Sequence, residues 1–97
     1  MRYEIILAPE AVEDLRSLKA HLRSGVRVAI ERHLRHDPMQ TSKSRIKRLR
    51  GVARPQFRLR VGDIRIFYDV VEGRVEILAV VPKSDAEAWL KQIGEAS

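Results

Sequence analysis

Three arginines, Arg58, Arg60 and Arg65, stand in the run Phe57-Arg58-Leu59-Arg60-Val61-Gly62-Asp63-Ile64-Arg65. A guanidinium stays protonated in a protein, so it does not trade protons; it offers a planar fork of donors that matches phosphate oxygens. With Gly62-Asp63 as a two-residue hairpin loop, Val61 pairs with Ile64, Arg60 with Arg65, Leu59 with Ile66, Arg58 with Phe67, and Phe57 with Tyr68. Alternation then places Phe57, Leu59, Val61, Ile64, Ile66 and Tyr68 on one apolar face. The following hairpin is expected to add Val75, Ile77, Ala79 and Val81 to it. The opposite face carries Arg58, Arg60 and Arg65, two of them directly opposed, which destabilises a sheet unless an anion completes the arrangement. The competing reading is that these arginines splay into water or meet Asp69 and Glu76 further along.

The three belong to a larger concentration of charge. Between positions 43 and 65 lie nine cations and one carboxylate, a net +8, while the rest of the chain is slightly acidic at −2. Arginine supplies 14 of the 19 basic residues. Such a stretch points to nucleic acid or an acidic protein partner. Lys43, Arg45, Lys47, Arg48, Arg50 and Arg54 read as a docking surface for such a partner rather than a catalytic site, since they bring charge without convergence. Trp89 is a candidate to stack on a base, although it also falls on the apolar stripe of a helix and fits packing there. His33 and His36 are i, i+3 neighbours, but without cysteine they make a poor metal set, and no metal or cofactor is expected. Tyr68 falls on the core face and reads as structural.

These residues need a frame. Residues 3–7 read as a strand, and Pro9 opens a helix whose first turns hold Glu10, Glu13 and Asp14. Val12, Leu15, Leu18 and Leu22 would form its stripe. A break at Ser24-Gly25 would lead to a second helix with Val26, Ala29, Ile30, His33 and Leu34 at i, i+3, i+4, i+7 and i+8, closed by Asp37-Pro38. Residues 45–49 suggest a short edge strand, and 56–61, 64–71 and 74–81 three strands of a meander. Ser84-Asp85-Ala86-Glu87 reads as a capping box, opening a helix striped by Ala86, Trp89, Leu90 and Ile93 and stopped at Gly94. The fold class is α+β: an N-terminal strand and helical hairpin packed on a twisted, mostly antiparallel four-stranded sheet, with a C-terminal helix.

Ninety-seven residues fit one domain, 1–97, with a modest core. The absence of cysteine rules out a disulfide framework and a thiolate nucleophile, and makes a reducing cytoplasm the expected compartment. No apolar run approaches a membrane span, and no secretory leader is visible.

The stretch from Phe57 to Val70, preceded by Lys47-Arg48-Leu49-Arg50-Gly51, resembles the core of RelE/ParE-type toxins of bacterial type II toxin–antitoxin systems. The resemblance runs over nearly the whole chain and lies closer to the RelE branch. It implies a toxin that cuts mRNA in the ribosomal A site, inhibits translation and is neutralised by a cognate antitoxin. It also implies catalytic roles for Arg58, Arg60, Arg65 and Lys83 in a metal-independent endoribonuclease. Trp89 departs from the pattern, standing where that branch often has a tyrosine. The alternatives are a ParE-like DNA gyrase inhibitor without nuclease activity, or a non-catalytic nucleic-acid-binding module.

Overall fold

The computed structural model describes residues 1–96. Its elements in order are β1 (Glu4–Leu7), α1 (Pro9–Ser17), α2 (Ala20–Leu34), β2 (Ile46–Arg48), β3 (Val52–Arg54), β4 (Phe57–Val61), β5 (Ile64–Val71), β6 (Arg74–Pro82), α3 (Lys83–Ile93) and β7 (Glu95–Ala96). The main sheet has five strands in the order β1-β6-β5-β4-β2. β1 is therefore a sheet strand itself, parallel to β6, which raises the expected four strands to five. The other pairings in that sheet are antiparallel.

The period-two pattern of residues 56–81 explains the meander, and two glycine turns close it. Gly62 at φ +57 supplies the left-handed residue that a tight hairpin turn needs at its first central position. At the second turn both central residues, Glu72 (φ 36) and Gly73 (φ 79), are left-handed, and the twist of such a turn matches that of the strands.

One sheet face and the two N-terminal helices form the core. Ala11 and Leu15 of α1 and Val26, Ile30 and Leu34 of α2 pack onto Phe57, Leu59, Ile64, Ile66, Tyr68, Val75, Ile77 and Val80. Tyr68 is fully buried, stacks on Phe57 at 5.4 Å and donates its hydroxyl to the Pro38 carbonyl at 2.6 Å, tying the loop after α2 to the sheet.

Three sequence expectations are corrected. The break between the first helices falls at Leu18 and Lys19, both extended, and α2 runs through Ser24-Gly25. Glycine costs a helix about 1 kcal/mol, and the unbroken spacing of Val26, Ile30 and Leu34 against the core outweighs it. The α1 stripe is accordingly Ala11 and Leu15, and Leu22 belongs to α2 and is exposed. Second, Phe67 pairs with Ala79 but Tyr68 with Ile77, so Leu78 is the extra residue of a bulge. The slip sends Ala79 and Val81 to the arginine face and puts Val80 in the core. Third, β6 passes into α3 without a loop, and Lys83 rather than Ser84 begins the helix, with no side-chain cap. Asp14 also takes a role beyond the helix dipole: its Oδ2 accepts the Val80 N–H at 2.9 Å, where β6 has run past its partner β1.

Tyr68→Phe should leave the Pro38 carbonyl without its donor and cost about 1–2 kcal/mol in urea denaturation. An unchanged midpoint would mean that the hydroxyl does not secure the loop.

Candidate anion-binding site

The β4–β5 register is the one expected: Phe57 with Tyr68, Arg58 with Phe67, Leu59 with Ile66, Arg60 with Arg65 and Val61 with Ile64. Arg58, Arg60 and Arg65 therefore share the face turned away from α1 and α2. On the edge strand β2, Lys47 pairs with Arg58 and joins the same face.

Two of the three arginines are held in place. Arg65 is only 7% exposed, and its Nη1 donates to the Gly62 carbonyl at 2.9 Å and the Ile64 carbonyl at 3.2 Å. Arg58 is half-buried and its Nη2 donates to the Ser44 carbonyl at 3.3 Å. Its Nε is buried without a partner. Burial first, and then the nearby charges of Arg65 and Arg60, hold the Arg58 pKa below the ordinary guanidinium range. Arg60 is exposed.

The same face has a second like-charge pair, and the comparison is instructive. Asp69 and Glu76 are direct cross-strand partners. Arg54 bridges them, with Nε 2.7 Å from Asp69 and Nη2 4.0 Å from Glu76. Arg74 adds a contact to Glu76 at 3.4 Å, and the Gln56 N–H donates to Asp69 at 2.7 Å. The acidic pair is thus neutralised from within the fold. Among the described residues no ion pair involves Arg58, Arg60, Arg65 or Lys83. Asp69 and Glu76, the carboxylates paired across β5 and β6, are thus occupied at one end of the sheet, leaving the arginines at the other end for an anion to complete.

The Gly62-Asp63 turn also brings in Lys83. While the Gly62 carbonyl holds Arg65, the Asp63 carbonyl accepts the Lys83 N–H at 2.7 Å. Lys83 itself is exposed and borders, with Asp63, Pro82 and Ser84, an open depression of about 430 Å³. From there α3 crosses the sheet, and Trp89 stacks on Phe67 at 4.8 Å with 9° between the rings. Trp89 is half-buried, packed as its place on the apolar stripe allows.

The remaining basic residues do not converge. Arg48 lies over the Phe57 ring at 5.1 Å, at the border of the core face. Arg54 is committed to Asp69. Arg45 lines a recess beside His33, and Lys43 and Arg50 are exposed outside the strands. Among the described residues no group of three or more His, Asp or Glu side chains is placed to hold a metal ion. The sequence did not point to the Arg54 bridge, which depends on β3 folding over the end of the sheet and pairing with β7.

Comparison with known proteins gives a family and a fold. Residues 5–87 match the family model described as the ParE toxin of the type II toxin–antitoxin system parDE. The chain belongs to this family, within the RelE/ParE superfamily of toxins. Comparison with curated proteins gives no match. Among solved structures it is similar to the RelBE2 toxin–antitoxin complex of Mycobacterium tuberculosis. The identity is 25% and the TM-score 0.67, over 84% of this chain and 99% of that one. It is also similar to the archaeal RelE–RelB complex of Pyrococcus horikoshii OT3, at 25% identity and TM-score 0.64 over 86% and 97% of the two chains. The free E. coli toxin RelE, carrying two arginine-to-alanine substitutions, shares the fold at 18% identity and TM-score 0.57, over 96% and 99%.

If Arg58 is held against its own desolvation for the sake of a ligand, Arg58→Gln should raise the stability of the free protein, by about 0.5–1 kcal/mol. A loss of more than 1 kcal/mol in denaturant melts would instead identify the guanidinium as a packing strut.

Proposed function

We propose that this toxin is a RelE-like, ribosome-dependent endoribonuclease that cleaves mRNA at the face carrying Arg58, Arg60 and Arg65. The observation that carries the reading is the unequal treatment of two like-charge pairs. Among the described residues Asp69–Glu76 has an internal counter-ion and Arg60–Arg65 has none, while Arg58 beside them keeps a buried Nε unpaired. Attack by the RNA's own 2′-hydroxyl on the adjacent phosphate breaks the bond to the 5′-oxygen through a phosphorane with added negative charge. Arg58 and Arg65, already held in position, stabilise that charge together with the exposed Arg60. They do not carry protons, and Lys83 is the proposed donor to the leaving 5′-oxygen. The proton of the attacking 2′-hydroxyl passes to water or to a ribosomal group, since the guanidiniums cannot accept it, which suits an enzyme that uses the ribosome to orient its substrate.

The proposed protein partner is a cognate antitoxin with an acidic toxin-binding segment that masks the basic face. Three of the similar structures are toxin–antitoxin complexes. The parDE description of the family favours one further reading, gyrase inhibition through protein contacts without RNA cleavage.

Inducing the chain in bacteria without antitoxin, with RNA 5′ ends and DNA breaks mapped in the same cells, separates the two. Codon-positioned cuts in translated mRNA are expected, and gyrase-linked breaks in their place would establish the second reading. Arg58→Gln and Arg65→Gln should each slow cleavage on programmed ribosomes about 100-fold. Full-rate cleavage by Lys83→Met would remove the lysine from the mechanism.

A further inference from the structure

A second basic recess lies on the other side of the edge strand β2. The last turn of α2 contributes Arg32 and His33, and the loop that follows contributes Asp37, Gln40, Ser42 and Arg45. The recess holds about 230 Å³, room for a phosphate group and several waters at roughly 30 Å³ each. Its loop wall is pre-formed. Ser42 Oγ accepts the N–H groups of Arg45 at 2.9 Å and Ile46 at 3.2 Å, and the Ser42 N–H donates to the Ile46 carbonyl at 3.0 Å. Beneath it, Ile46 is buried in the core and Tyr68 holds the Pro38 carbonyl.

Charge in the recess is uncompensated. Two arginines and a half-buried histidine face a single carboxylate, Asp37, and no ion pair among the described residues involves Arg32, Arg45 or Asp37. Burial, together with the positive charges of Arg45 and Arg32, holds His33 below the ordinary histidine pKa. An incoming anion would reverse the electrostatic part of that shift.

The segment Ser44-Arg45 separates this recess from the arginine face and touches both. Its carbonyls take the Arg58 Nη2 at 3.3 Å and the Arg60 N–H at 2.8 Å, while the Arg45 side chain lines the recess. A strand leaving the arginine face over the free edge of β2 therefore meets Arg45 next. We infer that the recess between the end of α2 and the 40–46 loop binds a further phosphodiester of the RNA strand whose reacting phosphate lies at Arg58, Arg60 and Arg65. The inference rests on the RNA reading of that face and adds a second, non-catalytic contact to it.

The test is the affinity of a single-stranded, 2′-deoxy-blocked RNA oligonucleotide over a range of salt concentrations. Arg32→Gln/Arg45→Gln should weaken binding about tenfold at low salt and lower the slope of log K against log[salt] by about 0.7, one phosphate's worth on a single strand. Asp37→Asn should tighten binding two- to threefold, a gain that misfolding cannot produce. The His33 imidazole resonances should move on RNA addition to the wild-type protein.

If the Arg32/Arg45 variant binds like wild type and His33 does not move, the recess is not an RNA site, even where Arg58→Gln/Arg60→Gln shows that the arginine face is. If the wild-type chain binds no RNA, the recess inference falls, and cleavage on programmed ribosomes alone decides the reading of the arginine face. If an acidic peptide displaces nothing from the arginine face but shifts His33, the recess belongs to a protein partner and the inference is overturned.

Discussion

Gly62, at φ +57, lets β4 return as β5 after two residues, and that closure fixes how Arg58, Arg60 and Arg65 stand relative to one another across the two strands. A slip of one residue would exchange the two faces of the hairpin, sending Phe57, Leu59, Ile66 and Tyr68 to solvent and the arginines inward. Core burial and site geometry are therefore locked to the same register. Packing of α1 and α2 onto the apolar face holds Arg60 opposite Arg65 against their mutual repulsion. The basic site is a strained consequence of a favourable core, and its repulsion is small beside the core side chains that a slip would expose.

The distribution of carboxylates completes the arrangement. Asp69 is buried at the far end of β5, where it binds Arg54 and the Gln56 N–H, and the Gln56 side chain in turn accepts the Val70 N–H at 2.8 Å. This clamp fastens the 52–56 segment over the sheet and occupies the acids that would otherwise compete for Arg58 and Arg65. Electrostatic segregation of this kind makes a site receptive to an anion without any one residue being unusual.

How much of this could be read from the chain depended on the range of the interaction. The β4–β5 pairing, the two glycine turns, the buried Tyr68 and the stop at Gly94 rest on period and turn chemistry, which are local, and all were legible. Ser24-Gly25 reads as a helix break because glycine disfavours helix, but Val26, Ile30 and Leu34 need one continuous stripe and tertiary packing prevails. The bulge at Leu78 has no glycine or proline to announce it, and it reversed the faces of Ala79 and Val81. Arg48 and Arg54 looked like members of one basic surface. Their partners, Phe57 and Asp69, were visible in the chain, but the pairings depend on where β2 and β3 lie in the fold.

Trp89 brings local and tertiary effects together. An indole does not exchange protons near neutrality, so its presence removes a phenol from the chemistry available at this face. What the ring does in the structure is stack on Phe67, the cross-strand partner of Arg58. None of the residues of α3 is fully buried, and this stack and the Lys83 N–H bond to Asp63 tie it to the sheet at two points. The bulge at Leu78 pairs the small Ala79 with Phe67, the ring on which Trp89 stacks. A helix fixed at those two points presents Lys83 at the turn that also holds Arg65. In the proposed reaction, proton delivery then falls to the residue that α3 positions, and the aromatic that positions it takes no chemical part.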